Sequence, residues 1–278
     1  MSVRIGWREI GLGLIVLFGL GEAEVRRFER RAAADIAAQL DGPDKRVRVR
    51  SSLTAPLSAA WGDIRRVEIE ASRFSTDGLP LFTEPDRSTK GRIGELTLKL
   101  RDFRLRGLAI ERLDATIPGC RFDHALALSR RQIRLSRSGE GQGSVRVRQE
   151  HLEMWIVDKF VEIKRAKVTL ADGRAVVEGY GEFLVIATDF RVDARIEAPD
   201  GRRLFLVDAD ITFDGRPADP LSSRALLQTL NPVVDLDEGL GLFGAIDVAE
   251  IRIGHGYLEA FGKTRIPIRA EGVPASGR

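Results

Sequence analysis

The chain has 278 residues, of which 43% are hydrophobic and 31% are charged, and its formal net charge is +3. This apolar content is enough for a large folded domain and excludes a chain that is disordered throughout. A single cysteine excludes a disulfide scaffold, and the near-balance of 44 basic and 41 acidic side chains excludes the basic field that a duplex-binding domain needs.

The amino-terminal segment has the pattern of an export signal or a membrane anchor. Arg4 and Arg8 precede an uninterrupted apolar run at 10–20. This order is typical of a signal sequence, and the run is short for a spanning helix, which needs about 20 apolar residues. We therefore predict that residues 1–22 are a cleaved signal or an uncleaved anchor. The rest of the chain then faces the periplasm or another extracytoplasmic side. A buried helix of a cytosolic domain is the alternative.

The next segment, residues 23–40, is predicted to form a long helix. Phe28 and Ile36 belong to an apolar stripe at helical spacing, and four arginines cover the opposite face. Asp41-Gly42-Pro43 is a typical helix end.

From residue 45 the hydrophobic period changes from 3.6 to 2. Apolar side chains alternate with charged ones at 46–53, 96–100 and 190–198. This alternation predicts antiparallel strands with one face packed on the core and one in solvent.

Turn residues separate several of these strands. Asp-Gly at 171–174 and at 199–202 predicts two tight hairpins, because this dipeptide accepts the positive φ that such turns require. The glycine-rich stretch 139–143 is expected to be a third hairpin, joining a strand near Leu135 to one near Val145.

Two shorter amphipathic helices interrupt the strands. The first is predicted at 149–160, and the second follows Asp219, a good N-cap, with Pro220 in its first turn. Their apolar faces carry Leu152, Trp155, Ile156, Phe160, Leu226 and Leu230.

Together these elements predict an α+β fold that is mostly β. We expect a strongly curved antiparallel meander sheet that wraps the long N-terminal helix, with the two shorter helices packed on it. No stretch rich in proline, serine or glycine is long enough to be an interdomain linker. We therefore predict one domain over 23–270 and a flexible tail at 271–278.

The sequence does not favour catalysis. His124, His151 and His255 lie far apart, without partners at metal-ligand spacing, and Cys120 is expected to be a small buried thiol. The Gly-x-Gly-x-Gly stretch at 139–143 precedes a strand, whereas a nucleotide fingerprint opens a helix. We therefore predict no enzymatic activity, no cofactor and no metal.

One segment departs from the charge balance. Residues 121–148 carry seven arginines and two acidic residues. We place four of them on the solvent face of the predicted hairpin, where each could add about 1 kcal/mol of attraction to anionic lipid headgroups. They are Arg130, Arg134, Arg146 and Arg148. A solvated strand face is the alternative, and the lack of an aromatic platform argues against single-stranded nucleic acid.

The pattern of elements resembles the LmeA-like family of exported phospholipid-binding proteins. The segments that carry the resemblance are 53–71, 93–100, 145–156, 168–173, 231–232 and 248–262. The resemblance implies a bent sheet like the tubular lipid-binding folds, a groove for acyl chains, and a membrane surface as partner. It also implies non-catalytic binding, and in some cases transfer, of phospholipid or another acyl lipid at the cell envelope.

The predicted helices supply apolar side chains that would line such a groove. They are Phe28, Ile36, Leu152, Trp155, Ile156, Phe160, Leu226 and Leu230. The same side chains would serve equally well as an ordinary core. The alternative function is therefore a structural module of the envelope, with a solid core and a protein partner.

Overall fold

The computed structural model describes residues 25–27, 29–55, 58–76, 82–130, 132–183 and 186–268. The expected signal or anchor and the expected tail lie outside these residues. Within the described ranges, no helix is long and apolar enough to cross a membrane.

Most of the described residues are in strands, so the predicted mostly-β class is confirmed. The strands of the described part are β1 Arg46–Leu53, β2 Asp63–Ser72, β3 Ser75–Thr76, β4 Gly91–Leu105, β5 Leu108–Phe122, β6 Leu135–Arg137, β7 Gly141–Arg148, β8 Ile163–Ala171, β9 Arg174–Phe183, β10 Ile186–Glu197, β11 Arg203–Phe213, β12 Arg216–Pro217, β13 Val234–Asp235, β14 Ile246–Gly254 and β15 Tyr257–Thr264. The helices are α1 at 25–27 and 29–39, a 3₁₀ turn Ser58–Trp61, α2 His124–Arg130, α3 Gln149–Lys159 and α4 Pro220–Leu230.

The first sheet has the strand order β1-β2-β4-β5-β7-β15-β14, with β3 beside β4 and β6 beside β5. Its longest hairpin, β4–β5, bends where Asp102 adopts a φ of 49°. The buried residues Leu100 and Phe103 of β4 are separated there by two residues and not by one, so the two-residue alternation is interrupted. Such an irregularity increases the local twist, so the sheet curls.

The second sheet has the strand order β12-β11-β10-β9-β8, and β13 also pairs with β11. The two predicted Asp-Gly turns are confirmed, since 171–174 joins the antiparallel pair β8–β9 and 199–202 joins β10–β11. Asp172 and Gly173 have φ values of 52° and 78°, as a tight hairpin turn requires.

The strands therefore form two sheets, and the expectation of a single meander is wrong in that respect. Helix α3 separates β7 from β8, so the chain starts a new sheet after the helix. The strand pairs β2–β4 and β3–β4 are also parallel, whereas a meander contains only antiparallel pairs. Backbone hydrogen bonds join the sheets, from Gly256 N to Leu170 O at 2.8 Å and from Val248 N to Gly201 O at 2.7 Å.

The long N-terminal helix inside the sheet is not supported. Only 25–27 and 29–39 are described as helical, and Phe28 lies outside the described residues. The carboxylate of Glu29 accepts the backbone N–H of Ser51 at 2.6 Å, which places α1 beside the edge strand β1.

The hairpin expected at 139–143 is also wrong. Strands β6 and β7 both lie along β5, so the chain continues along one edge and does not fold back. The glycines have a different role, since a Cβ on Gly139 or Gly141 would lie 2.1 or 1.9 Å from a carbonyl oxygen of β5. They allow the close approach of two backbones.

Candidate functional site

An apolar cavity lies between the two sheets. Its walls come from β5, β7, β14 and β15 on one side and from β8, β9, β10 and β11 on the other, and every lining residue is apolar. The cavity offers about 110 Å³ to the centres of water-sized molecules. A single water needs about 10–15 Å³ by the same measure, together with several polar partners. The space is therefore large enough for a ligand, and its walls suit an apolar one.

Strand alternation builds the two walls. In β10, Val192 lines the cavity, while its neighbours Arg191 and Asp193 pair with each other on the outer face. In β7, Val145 and Val147 line the cavity from the opposite sheet. Because successive side chains of a strand point to opposite faces, the charged residues of both sheets lie outside the cavity.

Helix α3 closes one side of the cavity. Gln149 and Glu153, one helical turn apart, accept the backbone N–H groups of Leu170 and Val168 at 3.3 and 2.9 Å. Strand β8 is the edge of the second sheet, so these side chains satisfy N–H groups that have no neighbouring strand. The arrangement holds the buried face of α3, which includes Trp155, over the cavity.

The segment 231–242, which follows α4, closes the cavity next to the C-terminal end of α3. The side chain of Asn231 pairs with the backbone of Leu206, accepting its N–H at 2.8 Å and donating to its carbonyl at 3.1 Å. Arg106, in the β4–β5 turn, donates to the Glu238 carbonyl at 2.9 Å. These contacts connect the segment to both sheets, and its leucines complete the apolar wall.

Lys159 joins the two closing elements. Its Nζ donates to the carbonyl oxygens of Val233 at 2.5 Å and of Pro232 at 3.2 Å. The same ammonium group lies 4.7 Å from the ring centroid of Trp155 and 4.9 Å from that of Phe160. Partial desolvation by its neighbours lowers the pKa of Lys159, because the charged form loses some of its hydration. Phe160 and Val233 line the cavity, and Val233 and Lys159 also reach the protein surface. We call these three residues the lysine rim.

The structure brings together five of the eight side chains that the sequence assigned to a lipid groove. The five that line the cavity are Leu152, Trp155, Ile156, Phe160 and Leu230. Ile36 and Leu226 are buried in the core but do not line the cavity, and Phe28 lies outside the described residues. Contact of any of them with lipid stays a prediction.

The four arginines assigned to headgroups do not share a hairpin face. Arg130 is exposed at the C-terminal end of α2, a helix that the sequence analysis missed. Arg134 lies between this helix and β6, with its Nε 3.9 Å from a carboxylate oxygen of Glu84. The expectation that both residues lie on a strand is therefore wrong, because Arg130 is helical and Arg134 precedes the first residue of β6.

The other two arginines lie on the outer face of the first sheet. Arg146 contacts the carboxylate of Glu259 at 3.2 Å, and its guanidinium lies 4.3 Å from the ring centroid of Tyr257. Arg148 contacts Glu111 at 2.6 Å, an interaction that lowers the pKa of that carboxyl. Their positive charge is thus offset locally, on the side of the sheet away from the cavity. Headgroup contact by the four arginines stays a prediction.

Sequence reasoning missed the strand side chains that form most of the cavity wall. Examples are Leu108, Ile110, Val192, Leu206, Val248 and Leu258. The two-residue alternation was the available signal, because it separates the inner from the outer face of each strand.

The histidines and the cysteine form no reactive cluster in the described part of the chain. No group of three or more His, Cys, Asp or Glu side chains there is arranged to hold a metal ion. Cys120 is fully buried, as predicted, and burial raises the pKa of its thiol. The cavity wall carries no acid, base or nucleophile, so it can bind a ligand by apolar contact.

A comparison with protein families gives an independent indication of the ligand. The family model described as LmeA-like phospholipid-binding matches residues 87–261. This range includes every residue that lines the cavity, from Leu105 to Ala260. No curated protein and no solved structure matches the chain. The resemblance inferred from the sequence is therefore confirmed at the level of the family.

Proposed function

The chain belongs to the LmeA-like phospholipid-binding family, and we propose that it holds the acyl chains of a phospholipid in the cavity between its two sheets. The observation that carries the proposal is a wholly apolar cavity whose entire lining lies within the residues matched to the family. A solid core would have favoured an envelope scaffold instead.

The chemistry of the wall favours an acyl chain over other ligands. Water in the cavity would have no polar side chain to bind, whereas an acyl chain gains about 0.8 kcal/mol for each methylene removed from water. Ten buried methylenes would contribute about 8 kcal/mol before the costs of association and chain ordering are subtracted. The binding energy can therefore come from apolar contact alone.

The proposed role is non-catalytic. A wall without ionisable side chains offers nothing to attack or protonate an ester, so the lipid would be bound and released unchanged.

We further propose that the protein acts outside the cytoplasm, where it would hold lipid or move it between membrane surfaces of the envelope. The apolar run at 10–20, preceded by Arg4 and Arg8, supports this location.

Uptake of a labelled phospholipid from vesicles tests the proposal. The full chain is mixed with phosphatidylglycerol vesicles that contain a lipid with a fluorophore on its acyl chain, and the protein is then separated from the vesicles. We expect labelled lipid to leave the vesicles with the protein and its fluorophore to be shielded from aqueous quenchers. Absence of label from the separated protein would contradict the proposal and favour the scaffold alternative.

A further inference from the structure

We propose that Lys159 binds the phosphate of the phospholipid whose acyl chains fill the cavity. This inference rests on the proposed function and deepens it, because it assigns the headgroup contact to one residue at the lysine rim. The ligand chemistry is a phosphate ester attached to an apolar tail.

The position of Lys159 suits a headgroup. Its ammonium group contacts the rings of Trp155 and Phe160 and the carbonyl of Val233, all of which belong to residues that line the cavity. Lys159 is itself exposed, and Val161, two residues further on, is 78% exposed. A lipid whose tail entered the cavity at the lysine rim would bring its phosphate to the surface close to this ammonium group.

The ammonium group of Lys159 can also form a further hydrogen bond. An ammonium group has three N–H donors, and the carbonyls of Pro232 and Val233 accept two of them. A phosphate oxygen could accept the third without disturbing the contact that closes the rim. Hydrogen bonds between an ammonium group and an anionic oxygen are the stronger, charge-assisted kind.

The charge of Lys159 is not offset by direct ion pairing. Within the described ranges, no carboxylate makes an ion-pair contact with its ammonium group, and Asp235 acts on it only at longer range. Three other lysines do form ion pairs: Lys99 with Glu68 at 3.1 Å, Lys164 with Glu182 at 3.7 Å and Lys263 with Glu140 at 2.8 Å. A cation that is partly desolvated and lacks a carboxylate partner gains most from an incoming anion.

Short-chain lipids that stay monomeric in water give a direct test. The full chain is titrated with dioctanoyl phosphatidylglycerol and with dioctanoylglycerol, which has the same tails and no phosphate, and tryptophan fluorescence reports binding. The test variant is Lys159→Gln, whose amide can still donate to the carbonyls at the rim. Lys167→Gln is the matched control, because Lys167 is an exposed lysine of the neighbouring strand β8. Arg148→Gln represents the predicted arginine contacts.

We expect Lys159→Gln to weaken binding of the phosphatidylglycerol about 10- to 100-fold, the usual range for a lost charge-assisted hydrogen bond, and to leave binding of the diacylglycerol unchanged. Lys167→Gln should bind both lipids like the unmodified chain. Inorganic phosphate should not displace the bound phosphatidylglycerol, because it lacks the apolar tail.

Three results would overturn the assignment. Equal loss of both lipids in Lys159→Gln would show that the lysine acts on the shape of the cavity. A selective loss in Arg148→Gln would move the headgroup to the outer face of the sheet. Displacement of the lipid by inorganic phosphate would indicate a site for free phosphate. If the unmodified chain binds neither lipid, the proposed function itself fails. Each of the three results above overturns only the assignment of the headgroup to Lys159.

Discussion

Glu153 and Val168 join helix α3 to the edge of the second sheet, with the Glu153 carboxylate accepting the Val168 backbone N–H at 2.9 Å. The contact replaces the neighbouring strand that β8 lacks. It also holds α3 over the gap between the sheets, which keeps one side of the cavity closed. This polar contact at the edge of a strand therefore helps to keep an apolar cavity closed.

Replacing Glu153 with Ala should destabilise the protein. The Val168 N–H would lose its acceptor, which costs about 1–3 kcal/mol when the group stays shielded from water. Glu153→Gln retains an acceptor oxygen and should stay close to the unmodified chain. Urea unfolding measures the difference, with Glu150→Ala, an exposed acid of the same helix, as control. Equal stability of Glu153→Ala and Glu153→Gln would show that the hydrogen bond has no structural role.

Filling the cavity should abolish lipid uptake without loss of fold. Ala175 and Ala260 line the cavity from opposite sheets, and leucine at both positions would occupy space that an acyl chain needs. We expect the double variant Ala175→Leu, Ala260→Leu to take up little labelled lipid from vesicles, while its melting temperature does not fall. Ala249→Leu makes the same change at an exposed position of β14 and should leave uptake intact. Full uptake by the double variant would place the lipid elsewhere.

Glu259 is predicted to stabilise the first sheet. Its side chain is almost fully buried on the outer face and contacts Arg112 at 2.9 Å and Arg146 at 3.2 Å. Glu259→Gln would leave two guanidinium groups without their shared carboxylate, and we expect a loss of about 1–3 kcal/mol in the free energy of unfolding. Glu250→Gln, an exposed acid of the neighbouring strand, should change it much less. Equal effects of the two substitutions would contradict the role assigned to Glu259.

The turn at Asp200 should make stability depend on pH in the acid range. Hydrogen bonds from the Arg202 backbone and from the Arg203 side chain and backbone lower the pKa of Asp200 from its usual 3.8 to about 2. Because the folded state has the lower pKa, the contribution of Asp200 is complete above about pH 4 and is lost as the pH falls towards about 2. The difference in unfolding free energy between the unmodified chain and Asp200→Asn should therefore shrink on acidification. A difference that stays constant from pH 5 to pH 2 would contradict this.

The local elements could be predicted from the sequence because their signals are local. Alternation defined the strands, the Asp-Gly dipeptides defined two hairpins, and Asp219 begins α4 by accepting the N–H groups of Leu221 and Ser222. Long-range pairing could not be predicted in this way. Nothing in the alternation of β7 and β8 shows that they belong to different sheets.

The site was predictable only in part for the same reason. The apolar face of α3 pointed to Trp155 and Phe160, but a cavity exists only where two sheets stand apart, which depends on contacts far apart in sequence. The arginines show the same limit, since Arg146 meets its partner Glu259 113 residues further along the chain. Local charge counts therefore overstated the free positive charge of 121–148. They also gave no weight to Lys159, whose carbonyl partners lie more than seventy residues away.

Native mass spectrometry of the purified full chain, followed by organic extraction, tests the central claim most directly. We expect a bound mass that corresponds to about one phospholipid per chain, released as phospholipid on extraction and absent from the double variant Ala175→Leu, Ala260→Leu. A protein that shows only its own mass, and that gains none after incubation with phospholipid vesicles, would contradict lipid binding in the cavity.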